Sequence, residues 1–308
     1  MQTIAQAFET FFPRLELTDA ERMNASNQHI YLRERLQQGL PVQDNFLTGS
    51  YARKTAVKPL NDIDVFLVLR PTNALNTTTS PERVLAEVKR VLEAIYDGKT
   101  ARRQARSVNI EFSGTGIGYD VVPAFSTDND TYTIPDAQAS TWISTNPRIH
   151  AEMSTTANEQ AGKKLKPLLK AVKQANNRCE EPARSFHLEV LAWKVLTCDP
   201  GTYIDGLVIL LDGLASRICD ACPDPARLGP DIRPALTRCQ TAANWLGGRA
   251  TLARDARQLA ADGRTGEAHA KLRELLGETW PEKGNSGSRA AAAVVAGGSV
   301  DHSGSRFG

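Results

Sequence analysis

A chain of 308 residues with 41% hydrophobic content can bury a sizeable core, as one large or two ordinary domains, and is not a disordered polymer. Lys and Arg (37) nearly balance Asp and Glu (35), leaving a net charge of +2, which argues against a long nucleic acid as partner. The longest apolar run, residues 207–211, is far too short to cross a bilayer. The first residues show no basic stretch followed by an apolar core, and the five cysteines form an odd set. Both features lead us to expect a cytoplasmic protein with reduced thiols and no membrane partner.

In chain order, Phe8, Phe11, Phe12, Leu15 and Leu17 form an apolar lead-in. Thr18 and Glu21 then fit a capping box that starts a helix over 18–38 with a thin apolar stripe of Met23, Ile30 and Tyr31. Gly39 and Pro41 stop it. Next comes the stretch 46–69, in which Gly49-Ser50 precedes a basic run and Asp62-Ile63-Asp64 opens an apolar strand. Ser80 caps a helix whose Val84, Leu85, Val88, Val91, Leu92 and Ile95 recur at helical spacing, with Gly98 at its end. Residues 107–112 alternate as a strand. Gly114, Gly116 and Gly118 make a turn into a strand over 119–122 that Pro123 closes. The first half therefore reads as a small mixed sheet with helices packed on it. From about Pro147 the texture is helical, with helices expected over 158–176, 185–197, 202–218, 234–246, 252–261 and 266–276. After Pro281 the chain is rich in Gly, Ser and Ala, a composition that cannot repay its ordering entropy, so a flexible tail is expected.

The chemistry gathers at the carboxylates. Asp62 and Asp64, at i and i+2 on a strand, point to the same face. Held side by side they repel and call for a cation, most simply a divalent metal. Asp120 stands on a separate strand. If that strand lies beside the first, three carboxylates converge at one sheet edge and suit two Mg²⁺ ions, with Mn²⁺ as a substitute. The Gly49-Ser50 backbone and the Ser50 hydroxyl would then hold phosphates.

This order of Gly49-Ser50, Asp62-Ile63-Asp64 and a separate strand Asp120 resembles the polymerase-β-type nucleotidyltransferase superfamily. The fuller pattern is narrower. It comprises Phe46-Leu-Thr-Gly-Ser-Tyr-Ala-Arg-Lys-Thr, Tyr119-Asp-Val-Val-Pro-Ala124, Trp142 with Pro147 and His150, the lysines from Lys164 to Lys170, Ser185-Phe-His-Leu-Glu189 and Leu276-Gly-Glu-Thr-Trp-Pro281. Together these resemble the bacterial cGAS/DncV-like nucleotidyltransferases of the anti-phage systems called CBASS, over roughly residues 46–281. The resemblance implies an α+β fold: a nucleotidyltransferase palm with its N-terminal helix over 1–150, a helical domain over 151–283 completing a nucleotide cleft, and the tail over 284–308. It implies synthesis of a cyclic di- or trinucleotide from NTPs with release of pyrophosphate. It makes Asp62, Asp64 and Asp120 the catalytic metal ligands, Asp120 also helping to deprotonate the attacking ribose hydroxyl. It places Gly49, Ser50, Lys170 and Ser185 at the nucleotide, while Ser185 also reads as a simple helix cap. Competing readings are a nucleotidyltransferase acting on RNA 3′ ends or protein, and an inactive palm that only binds nucleotide.

Other signals read more plainly. Cys219 and Cys222 lack a second pair at zinc spacing and read as small buried residues. The basic run 99–106 reads as a solvated turn, and His150 and His187 as packing or hydrogen-bonding residues. Trp142 reads equally as core or as a base-stacking ring. The tail, ending Arg-Phe-Gly308, is similar to the C-termini of family members conjugated by an E1/E2-type enzyme. Any downstream effector would meet the protein only through the messenger.

Overall fold

The structure, a computed structural model, describes residues 2–281 apart from 61, 113, 115 and 128–130. The expected tail and its Gly308 lie outside the described residues.

The lead-in is itself a helix, α1 (Ile4–Leu15), started by a capping box between Thr3 and Gln6. Its Ile4, Ala7, Phe8, Phe11 and Leu15 fall on one face and are buried. α2 (Asp19–Gly39) starts at the expected Thr18–Glu21 box. Its buried residues, however, are Ala25, Leu32 and Leu36, while Met23, Ile30 and Tyr31 are exposed. The expected stripe was on the wrong face. A helix with so few apolar residues offers two weak stripes, and the sheet selects the one whose small Ala25 allows close approach.

Seven strands make one mixed sheet: β1 (Val42–Thr48), β2 (Asp62–Leu69), β3 (Arg102–Arg103), β4 (Val108–Phe112), β5 (Ile117–Ser126), β6 (Tyr132–Asp136) and β7 (Thr141–Thr145). The order is β1-β2-β5-β4-β3, with β6 on the far end of β5 and β7 on β6. β2 and β5 run parallel, and the other pairs are antiparallel. β5 continues through Pro123, beyond the end expected from sequence. β4 pairs with it up to Val121 and β6 from Phe125, so Pro123 sits in the gap where its missing N–H costs no ladder bond. The β6–β7 hairpin is additional to the expected strands.

β2 alternates. Ile63, Val65, Leu67 and Leu69 face a core shared with α2 and with α4 (Pro81–Ile95), which buries the Val84, Leu85, Val88, Val91 and Leu92 face read from sequence. Asp62, Asp64, Phe66 and Val68 take the other face, where Phe66 and Val68 pack on Ala124, Tyr132 and Ile134.

The helical half comprises α5 (Pro147–Gln160), α6 (Leu165–Asn177), α7 (Ser185–Val195), α8 (Tyr203–Arg217), α9 (Leu236–Ala261) and α10 (Thr265–Leu276). The helix expected over 158–176 is divided between α5 and α6, because Gly162 and Lys163 take left-handed conformations (φ 59° and 63°). The two helices expected over 234–261 are one, since Ala242, Leu246, Ala250, Ala253 and Ala256 keep an unbroken buried stripe past Gly247 and Gly248. α1 shares this core, its Phe8 and Phe11 packing on Trp280, although it stands in the span 1–150.

Candidate active site

β1 ends at Thr48, opposite Asp64 on β2. The chain then turns sharply into α3 (Gly49–Ala52), closed by Thr55 N donating to the Ser50 carbonyl at 2.9 Å. Gly49 has φ +64°, and a β-carbon there would overlap the Asp64 carboxylate, so the turn and the acidic residue are fitted to each other. On the other side of β2, Asp64 is in direct register with Asp120 of β5, and Asp62 lies one step along the same face. The three aspartates therefore meet on the interior strands of the sheet, rather than at its edge as the sequence suggested. Asn109 of β4, in register with Asp120, donates to Asp120 at 2.9 Å and reaches Asp62 at 3.4 Å.

Burial pushes the Asp64 carboxyl up to about 6, reinforced by the charges of Asp120, Asp62 and Glu189 and opposed by Arg53. Burial also raises Asp120, against the Asn109 hydrogen bond. Like charges packed this closely make the site a strong attractor of cations. Among the described residues no group of three His, Cys, Asp or Glu side chains is drawn together around one point as metal ligands.

A cleft of about 490 Å³ lies over these carboxylates. One wall holds Gly49, Ser50, Asp62, Asp64 and Asp120, and the other holds Lys173 of α6 and Ser185, Phe186 and Glu189 of α7. Ser185 is the first residue of α7, with Arg184 in the cap position, so its hydroxyl is not consumed as a helix cap. Lys170 does not line this cleft. It points to the far side of α3 and pairs with Glu16 at 2.5 Å.

The α6 lysine that does reach the cleft is Lys173, one turn on. Lys173 donates to Glu189 at 2.9 Å and to the Thr55 carbonyl at 3.0 Å. Arg53, directly after α3, donates to the second Glu189 oxygen at 2.8 Å and lies over the Phe186 ring. All three charged groups are buried. Burial alone would raise the Glu189 carboxyl, but Arg53 and Lys173 hold it below the usual range. The triad ties the turn at the sheet to α6 and α7 and leaves one net positive charge beside the carboxylates. His150, also at the cleft, bonds Asp224 at 2.7 Å. Trp142 packs on Phe125 and donates to the Thr79 carbonyl, within the sheet core and away from the cleft.

Sequence reasoning did not assign Arg53, Asn109, Lys173 or Glu189. Asn109 was findable, because it is the polar residue between Val108 and Ile110 on a strand. Lys170 and Lys173 are both helical lysines at a spacing of three, and only the packing of α6 decides which one faces the cleft.

Known proteins fit this arrangement. Residues 1–158 match the family model described as the Second Messenger Oligonucleotide or Dinucleotide Synthetase domain. The chain is 28% identical over 307 residues to a cyclic AMP-AMP-AMP synthase of Acinetobacter sp., covering 91% of this chain and 86% of that one. A cyclic UMP-AMP synthase of Rhodothermus marinus is 24% identical over 211 residues, covering 58% of this chain and 71% of that one. The fold is similar to that of the Bradyrhizobium diazoefficiens CD-NTase CdnG in complex with GTP, with a TM-score of 0.72 at 15% identity over 90% of this chain and 95% of that one. It is likewise similar to E. coli CdnC with ATP, with a TM-score of 0.71 at 17% identity over 90% and 99% of the two chains. With the match to the family model spanning just over half its length, the chain belongs to the Second Messenger Oligonucleotide or Dinucleotide Synthetase family.

Proposed function

We propose that this nucleotidyltransferase makes a cyclic di- or trinucleotide messenger from NTPs, ATP among them, releasing pyrophosphate, and that it serves anti-phage defence. The observation that carries this reading is the register of Asp64 on Asp120 beneath the Gly49-Ser50 turn, in a cleft whose other wall is helical. Two of the relatives are named as synthases of adenine-containing cyclic products, which makes ATP the first substrate to supply.

The donor set fits a pair of hard divalent cations such as Mg²⁺, since it offers three carboxylate donors on one face of adjacent strands, Asp64 being pushed up by burial and by its acidic neighbours. Asp62, Asp64 and Asp120 would hold them. Bound there, such ions lower the pKa of an attacking hydroxyl and screen phosphoryl charge. The protein's own groups do the rest. Ser50 and the backbone of its turn seat the phosphates of the donor nucleotide, and Ser185 meets them from the helical wall. Lys173 and Arg53, only half neutralised by Glu189, offset the charge that grows on the leaving pyrophosphate. Asp120 accepts the proton of the ribose hydroxyl. Lys170, directed elsewhere, has no part in this scheme.

The test is incubation of the purified protein with NTP mixtures and Mg²⁺, followed by mass spectrometry of phosphatase-resistant products and a pyrophosphate assay. A cyclic product is expected, and Asp62→Ala or Asp64→Ala should abolish it while the circular dichroism spectrum is retained. A ladder on added RNA would instead make the chain a polymer-directed transferase. NTP binding with neither product nor pyrophosphate would make it an inactive binding module.

A further inference from the structure

The turn α3 has two faces. Gly49, Ser50 and Arg53 line the catalytic cleft, whereas Tyr51 and Lys54 line a separate cavity of about 460 Å³ with Glu16, Leu17, Arg22 and Lys170. Lys166 stands one helical turn before Lys170 on the same face of α6. It is close enough to Lys54 and Lys170 that their charges, after burial, hold its ammonium below the usual lysine range. Three cations (Arg22, Lys54 and Lys170) line the cavity, and Lys166 stands beside them on α6. The carboxylate on its lining is Glu16, engaged by Lys170 at 2.5 Å and by Arg22 at 3.6 Å, and Arg22 also pairs with Asp19 at 3.3 Å. Lys54 and Lys166 have no ion-pair partner among the described residues. A cluster of mutually repelling cations around a hollow is the electrostatic inverse of the aspartate site and attracts anions. Tyr51 and Leu17 add an aromatic and an apolar surface, so the cavity can cover an uncharged ring as well as hold charge.

We propose that this rear cavity binds a phosphorylated small molecule of nucleotide size, with Lys54 on its phosphates, Lys166 beside them and Tyr51 against its uncharged part. The ligand would press on the back of the same turn that carries Ser50. The chemistry serves either a free oligophosphate or a nucleotide, and the two are separable. The proposal does not depend on which reaction the cleft performs, and its test uses no turnover.

The experiment is lysine footprinting of the full chain in EDTA, with inorganic tripolyphosphate or ADP as probe. Acetylation of individual lysines is read by mass spectrometry. Lys54 and Lys166 should be protected together and saturably, while the exposed Lys163 on the neighbouring turn is not. Isothermal titration with the same probes should find binding weakened about tenfold or more in a Lys54→Glu/Lys166→Glu variant, as expected on reversing two charge-assisted contacts. Tighter protection by ADP than by tripolyphosphate would identify a nucleotide, and the reverse order an oligophosphate. Equal modification of Lys54, Lys166 and Lys163 at every probe concentration would overturn the proposal. So would titration curves for the wild type and the double variant that superimpose.

Discussion

At the scale of single residues, Gly49 and Asp64 constrain one another. An alanine at position 49 has to leave the left-handed conformation or displace the Asp64 carboxylate, and either moves a group that the reaction uses. We expect Gly49→Ala to lower kcat/KM by about a hundredfold, since a shift of about 1 Å at a reacting group has that cost, and to lower the thermal midpoint by a few degrees through backbone strain. Steady-state assays beside a thermal melt check it. His187 makes a different argument. It is 1% exposed with no hydrogen bond to either ring nitrogen among the described residues. Burial pushes its pKa down to about 4. The unfolded chain, with an ordinary value of 6.5, binds this proton first. Stability is therefore fully present above pH 6.5 and falls as pH drops towards 4, by roughly 2–3 kcal/mol from this one group. His187→Leu should flatten that slope in melts recorded across the same range. The Asp62–Asp64 pair was legible from the strand period of two, whereas Asp120 and Ser185 came from the motif, and the pairing of β2 with β5 brings Asp120 beside the pair. The choice between Lys170 and Lys173 was not legible, because sequence spacing places both on α6 without saying which neighbour each side meets.

Between elements, the Arg53–Glu189–Lys173 triad joins the turn after β1 to two helices. Removing one member of a buried set strands the others, so Glu189→Ala should cost about 3–5 kcal/mol in urea denaturation. Replacing all three, as Arg53→Met/Glu189→Leu/Lys173→Met, should recover much of that stability while leaving turnover absent. That outcome separates a structural role from the electrostatic one proposed here. The elements themselves were unevenly legible. The Thr18–Glu21 box located the start of α2 although not its buried face, and the stripe of α4 agrees with its packing. α9 was divided in expectation because two glycines cost about 1 kcal/mol each in a helix. Contacts with α8 and α10 exceed that cost. The β6–β7 hairpin went unread although Thr141-Trp142-Ile143 favours a strand, because Pro135 within its partner β6 argues against one.

For the whole molecule, the buried residues divide into a helical core and the cores on the two faces of the sheet. α1 belongs to the helical core, so the sheet half is inserted between two parts of its companion. The closure is specific. Phe8 and Phe11 pack on Trp280 with ring centroids 4.9 and 5.4 Å apart, Trp280 donates to His269, and His269 bonds the Gln2 carbonyl at 3.0 Å. Arg14 adds a bond to the Thr279 carbonyl. Trp280→Ala should cost about 3–5 kcal/mol by denaturation and loosen α1 as well as α10. Hydrogen exchange would show both helices losing protection together.

That closure also bears on how the protein is made. A ribosome delivers α1 long before most of what covers its phenylalanines: Phe12 is on the same helix, but Tyr203 and Trp280 follow much later. At about 5–20 residues per second, the apolar face of α1 stays uncovered for on the order of tens of seconds. The sheet half, contiguous in sequence, has all its strands to hand long before then. The order of maturation is therefore sheet first and helical half last, so the second wall of the cleft closes only on a chain whose synthesis has passed Trp280.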